Sequence, residues 1–127
     1  MNRNLVSTTV IGIAIAVAGV APLQAGPAPT APGYVIAEVE VTDMAKMQEY
    51  GAQVPATLAP FNHRYVIRGG KTTALEGEPP KGIVVIAFDS VEKARAWYES
   101  PAYSAIRPLR QAAAKSRIFV AEGFVPK

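Results

Sequence analysis

Hydrophobic and polar positions change rhythm several times along the 127-residue chain. From Val10 to Ala21, "VIGIAIAVAGVA", the chain is apolar or small throughout and carries no charge. Between Tyr34 and Val41 the pattern takes a period of two. Val35, Ala37, Val39 and Val41 fall on one face, and Ile36, Glu38 and Glu40 on the other, which predicts a strand. Met47, Tyr50 and Val54 then recur at helical spacing behind a capping Thr42-Asp43, predicting a helix from Met44. Pro55 lacks an N–H and should kink that helix or restart it as a short piece from Ala56 to Phe61. Asn62, tolerant of left-handed backbone, would end that piece.

"RYVIRGG", Arg64 to Gly70, reads as a second strand, and Gly69-Gly70 with Gly77 bracket "KTTALE" as a hairpin arm. "EPPK" is a turn. "GIVVIAF", Gly82 to Phe88, is apolar at nearly every position and so should be covered on both faces. Asp89 and Glu92 form a capping box before a helix whose stripe is Val91, Ala94 and Tyr98, with Trp97 beside it. Ser100 caps a further helix with Pro101 in its first turn. There Ala102, Ala105, Ile106, Leu109 and Ala113 form the apolar stripe, and Tyr103, Arg107 and Arg110 a separate one. Pro108 should bend or restart this helix. Arg117 to Phe124 closes as a strand. The order strand, helix, strand, strand, helix, helix, strand predicts an α+β fold: a ferredoxin-like four-stranded antiparallel sheet with helices on one face. Helices on one side leave the doubly apolar third strand half bare, so the expected assembly is a homodimer with two sheets packed face to face.

The apolar run near the start is preceded by Asn2-Arg3-Asn4 and followed by Pro22 and "LQA" before Gly26. Charged start, apolar centre and small-residue exit predict a signal peptide over 1–25, cut after Ala25, and hence a periplasmic or secreted protein. An uncleaved anchor is the alternative, although the run is shorter than the roughly 20 residues that span a bilayer. After cleavage no stable membrane anchor is expected. "GPAPTAPG", residues 26–33, reads as a Pro-rich linker, leaving 34–125 as one domain. The chain has no cysteine, so even in an oxidising compartment its stability must come from the core or a partner subunit. Without Arg3, twelve Lys and Arg face ten Asp and Glu in no block of like charge, which argues against nucleic acid as a partner.

The segments "YVIAEVEVTD", "RYVIRGGKTTALEG", "VVIAFDS", "AWYESPAYSAIRPLRQAAA" and "FVAEG" together resemble the 1330 family of domains of unknown function, over nearly all of Tyr34 to Phe124. The resemblance implies a dimeric α/β barrel of the ferredoxin-like kind and supplies no reaction. Looser relatives on this fold include cofactor-free monooxygenases, haem-degrading enzymes and muconolactone-type isomerases, but a fold does not fix a function. Family members commonly carry small residues where this chain has Asn62-His63, so a role for His63 is not inherited. The leader is also an addition.

Candidate chemistry is sparse. With no Cys and His63 alone, a zinc or copper site lacks ligands, and haem would rest on His63 as sole axial ligand with no supporting pattern. No cofactor is expected. There is no G-x-S-x-G nucleophile motif, and "RGGK" lacks the length of a phosphate loop. Glu38 and Glu40 share a strand face. In a closed cavity Glu38 could shuttle a proton, as could His63, while Arg64 and Arg68, read as sharing a face of the second strand, could neutralise it. A structural ion pair is the plainer alternative for these charges. Arg107 and Arg110 could grip a carboxylate together, or simply cover apolar surface with their stems. The reading these residues support is a small molecule, with an anion as one option, bound between sheet and helices by Arg68, Trp97, Tyr98, Tyr103 and Arg110, with Glu38 or His63 as catalytic candidates. A non-catalytic dimeric interaction module is the alternative.

Overall fold

The computed structural model describes residues 11–20 and 28–127. The start of the expected signal peptide and its cleavage site after Ala25 lie outside the described residues. Residues 11–20 form neither helix nor strand, and no helix among the described residues is long and apolar enough to cross a membrane.

The chain runs β1 (Gly33–Val41), α1 (Met44–Leu58), β2 (His63–Arg68), β3 (Ile83–Phe88), α2 (Val91–Glu99), α3 (Pro101–Ala113) and β4 (Ala114–Glu122). The strands form one antiparallel sheet in the order β2-β3-β1-β4, with the helices on one face. This is the α+β plan that the alternating and helical periods predict. Register sorts the two faces, because residues directly opposite in an antiparallel pair point the same way. Val35 stands opposite Ile86 and Val120, and Tyr65 also opposite Ile86; all face the helices. Ile36 lies opposite Val85 and Phe119, Glu38 opposite Ile83 and Arg117, and these form the outer face. Gly33 starts β1 because a Cβ there would stand 2.4 Å from the Ser90 carbonyl oxygen at the start of α2.

A β-bulge in β2 changes one expectation. The register slips between Tyr65 and Ile67, so Arg64 lies opposite Ala87 on the outer face and Arg68 opposite Val84 on the helix face. The extra residue breaks the period of two, and the two arginines do not share a face. Nor does "KTTALE" form a hairpin arm. Residues 69–82 are a loop held by a bond from the Thr72 hydroxyl to the Pro80 carbonyl (3.1 Å), and Pro79-Pro80 lack the N–H groups a pairing strand needs. Gly69 and Gly77 take the positive φ expected of turn glycines.

α1 runs unbroken through Pro55, and α3 through Pro108. The carbonyls these prolines leave without a donor belong to Gly51 and Ser104, both exposed, so solvent can serve them. Asn62 is not left-handed; its side-chain amide donates to Asp89 (2.8 Å). Asp89 is thereby occupied, and Ser90 caps α2 by accepting from the Lys93 N–H. Ser100 caps α3 as expected. The buried stripe of α3 is Tyr103, Ile106, Arg110 and Ala113, not the alanine face. An aromatic ring and an arginine stem cover more surface than Ala102 and Ala105, which stay exposed.

Trp97 centres the core, stacked on Phe88 and tilted against Tyr103 with ring centroids 4.2 Å apart. Its indole N–H donates to the Thr57 hydroxyl (3.1 Å), which donates to the Val54 carbonyl (2.7 Å). α3 passes straight into β4. At that junction the Ala113 carbonyl accepts from the Thr42 N–H, the Asp43 N–H and the Thr42 hydroxyl, at 2.8, 3.0 and 3.2 Å. On the outer face, Val85 and Ala87 are each 8% exposed within a single chain, whereas Ile67 and Phe119 remain 37% and 41% exposed.

Candidate functional site

Between the inner face of the sheet and helices α1 and α3 lies a cavity of about 340 Å³, within the range of about 300–1,000 Å³ usual for small-molecule sites. Val35, Ile86, Trp97 and Tyr103 form its buried floor; Val41, Gly51, Arg68 and Gly69 form an exposed rim. The wall is apolar except for three tyrosines and two arginines. No carboxylate and no histidine lines it.

The polar groups form a chain. Arg110, 6% exposed, donates through Nε to the Tyr103 hydroxyl (3.2 Å) and through Nη1 to the Ser116 hydroxyl (2.6 Å). The Tyr103 hydroxyl in turn meets that of Tyr50 at 2.9 Å. Burial first, and then the neighbouring Tyr103 hydroxyl, push the Tyr50 phenol well above its ordinary value of 10.0. Tyr50 is therefore held as a neutral hydroxyl. Arg110 makes no ion pair; the salt bridges among the described residues join Asp43 to Lys46, Arg95 to Glu99 and Glu38 to Arg117. The Arg110 side chain is largely buried and bonded to neutral hydroxyls, and no carboxylate among the described residues offsets the desolvation of its charge.

Of the residues singled out from sequence, the cavity brings together Arg68, Trp97, Tyr103 and Arg110. Arg68 sits at the rim with its guanidinium over the Tyr65 ring, 4.7 Å from the centroid. Tyr98 is not in the cavity. It faces shallower clefts beside β4, and the Arg107 guanidinium lies 4.3 Å above its ring. Arg107 donates to the Tyr98 carbonyl (2.6 Å) and the Ser104 hydroxyl (3.1 Å), serving a carbonyl at the end of α2. Arg107 and Arg110 therefore do not grip one carboxylate, since each is drawn to a different end of the tyrosine cluster.

Glu38 is also outside the cavity. It lies on the outer face, bonded to Arg117, because the alternation that turns Val35 and Ala37 inward turns Glu38 outward. His63 does not line the cavity either. Its Nδ1–H donates to the Phe61 carbonyl (2.8 Å), and its ring meets Tyr65 edge to face. Among the described residues no three His, Asp or Glu side chains cluster as a metal would need.

Sequence reasoning placed Tyr50 on the buried stripe of α1 but assigned it no chemistry. The available signal was a phenol on an apolar helix face, whose hydroxyl must find a partner when buried.

None of the curated proteins matches the chain. Among solved structures, a protein of unknown function from Rhodopseudomonas palustris, RPA0582, is 21% identical with a TM-score of 0.60, covering 76% of this chain and 85% of that one. A dimeric ferredoxin-like protein of unknown function from Thermobifida fusca is 15% identical, TM-score 0.51, covering 73% and 92%. SnoaB, a cofactor-independent oxygenase from Streptomyces nogalater, is 12% identical, TM-score 0.53, covering 77% and 100%. At these identities the likeness is one of fold, and the fold is ferredoxin-like. The sequence profile described as a domain of unknown function, DUF1330, matches residues 32–124, and the chain belongs to that family.

Proposed function

We propose that this is an exported, homodimeric protein that binds a small anionic molecule with an apolar body in the cavity between sheet and helices. The observation that carries the reading is Arg110, a buried guanidinium facing a cavity without any carboxylate. Arg68 at the rim adds a second positive charge, and the apolar floor favours an aromatic or branched aliphatic body. Arginine cannot shed its proton in a protein, so only a bound anion would neutralise it. The cavity also favours binding over the interaction-module alternative, which would leave no such space.

Pairing of two chains through the outer face is supported by its apolar centre of Ile36, Ile67, Val85 and Phe119, rimmed by charged Glu38, Arg64 and Arg117. The dimeric Thermobifida fusca neighbour supports it as well. Native mass spectrometry of the protein from an exporting host tests both assembly and leader: a dimer of chains starting at Gly26 is expected.

The ligand reading is tested by calorimetric titration with benzoate, 4-nitrophenolate and neutral nitrobenzene. At least one anion should bind about tenfold or more tightly than nitrobenzene, and Arg110→Met should erase the difference. Equal affinity for neutral and charged probes, or none for any, would overturn the reading. Turnover of a bound anion without a cofactor, in the manner of the oxygenase neighbour, is a separate outcome that product analysis of the same mixtures would reveal.

A further inference from the structure

Not every anion suits this cavity equally, and the donors on its wall show which kind does. A carboxylate is held best by two parallel N–H groups of one guanidinium. The side-on pair of Arg110 is already broken, because Nε is bonded to Tyr103, and Nη1 gives one of its two hydrogens to Ser116. Either hydroxyl of the Tyr103–Tyr50 pair can donate across 2.9 Å; we take the order in which Tyr103, accepting from Arg110, passes its own proton to the Tyr50 oxygen. That leaves the Tyr50 proton, which has no protein acceptor among the described residues, and Tyr50 lines the cavity. The chain of donors runs Arg110, Tyr103, Tyr50, and each bond polarises the next. It delivers the arginine's charge to a single O–H on the cavity wall.

We propose that the cavity takes a planar aromatic alcohol or enol in its ionised form, with the single negative oxygen against the Tyr50 hydroxyl and the ring against the apolar floor. This rests on the anion-binding reading above and narrows it to an oxyanion centred on one atom. The groups facing such a ligand all favour the anion. They are Tyr50 from α1, Tyr65 and Arg68 from β2, and Tyr103 and Arg110 from α3, whereas the Glu38 and Glu40 carboxylates of β1 are not among the lining residues. No base stands at the site, so the ligand's proton leaves to solvent and the cavity selects the ionised form rather than abstracting a proton from the neutral one. Burial keeps Tyr50 protonated, so the donor is present whenever the phenolate is.

The probe is 4-nitrophenol, whose neutral and ionised forms absorb at different wavelengths, titrated with the full-length protein. At a pH equal to its pKa in free solution, the bound probe should be about nine-tenths ionised or more, a shift of at least one pKa unit. Tyr50→Phe should return the bound probe to near-equal populations while still binding nitrobenzene. Should that variant fail to fold, Arg110→Met tests the same chain from its other end and should also reduce the ionised fraction. A bound probe that stays neutral, or a Tyr50→Phe protein with an unchanged spectrum, overturns the proposal. If 4-nitrobenzoate binds about tenfold more tightly than 4-nitrophenolate, the single-oxygen assignment fails but the anion pocket stands. If no anion binds, both fail.

Discussion

Replacing Arg110 with methionine in the ligand-free protein separates a guanidinium kept for a ligand from one kept for the fold. Methionine retains most of the stem that fills the wall, so packing changes little. Two hydrogen bonds are lost, Nε–H to Tyr103 and Nη1–H to Ser116. Each is of the charge-assisted kind, at about 1.5–3 kcal/mol. Against this stands the burial of an ion with no partner of opposite charge, a cost of several kcal/mol that the substitution relieves. The two contributions nearly cancel, so the variant should lie within about 1.5 kcal/mol of the parent. An arginine locked in a buried ion pair behaves differently, since breaking such a pair costs about 3–5 kcal/mol. Equilibrium urea denaturation at one fixed protein concentration is the assay, with the slope checked for constancy. A loss of about 3 kcal/mol or more at unchanged slope would mean that the guanidinium is structural, and the anion pocket would lose the observation that carries it. Near-neutral stability with anion affinity down about tenfold or more, roughly 1.4 kcal/mol, is the expected pair of results.

Gly33→Ala should destabilise by about 1–3 kcal/mol in the same assay, because the new Cβ meets the Ser90 carbonyl rather than a yielding side chain. Thr57→Val should cost about 1–3 kcal/mol by leaving the buried Trp97 N–H without an acceptor, and a loss under about 0.5 kcal/mol would contradict that bond. Glu38→Gln should change stability by under about 0.5 kcal/mol, since Arg117 is largely exposed, and should leave anion affinity untouched because Glu38 is on the outer face. Tyr50 supplies a pH dependence. Its folded phenol titrates above its unfolded one, so its contribution is fully present below pH 10 and falls as pH rises past it. The loss should approach about 1.4 kcal/mol per pH unit, and the difference between parent and Tyr50→Phe, measured by denaturation at several pH values from 9 upward, should show it. A parallel pH dependence in the two proteins would refute the buried phenol.

Much of this fold is legible in the sequence because its elements bury one face each and so carry a clean period. β1 is the clearest case, with Val35 and Ala37 turned in and Glu38 turned out. The inward set of α1, Met47, Tyr50 and Val54, is legible for the same reason. The face of Arg68 is not legible, because a bulge adds one residue to the count and nothing in "RYVIR" announces it. The prolines do not announce a break by themselves, since a missing N–H is harmful only where the stranded carbonyl is buried, and exposure is a tertiary fact. For the site, the aromatic and arginine content of α2 and α3 could be seen, but not which arginine turns inward. Arg107 and Arg110 have the same chemistry and neighbouring places on one helix. The Tyr98 carbonyl draws one outward and the Tyr103 hydroxyl draws the other in, and neither partner can be read from spacing alone.

The Ala113 carbonyl, with three donors from Thr42 and Asp43, fixes more than a chain crossing. It ties the last turn of α3 to the residues that open α1, two helices whose Met47, Tyr50, Tyr103 and Arg110 line the cavity. The two helices that bear Tyr50 and Arg110 are thus riveted together at one end and cannot part there like jaws. Such a tie opposes widening of the cavity on that side, so a guest is expected to be sized by it rather than accommodated. Exchange must come from what is not riveted, the Met47 and Arg68 side chains and the 69–82 loop. Lengthening a guest along the cavity axis should then cost affinity abruptly, at a definite number of atoms, rather than by degrees.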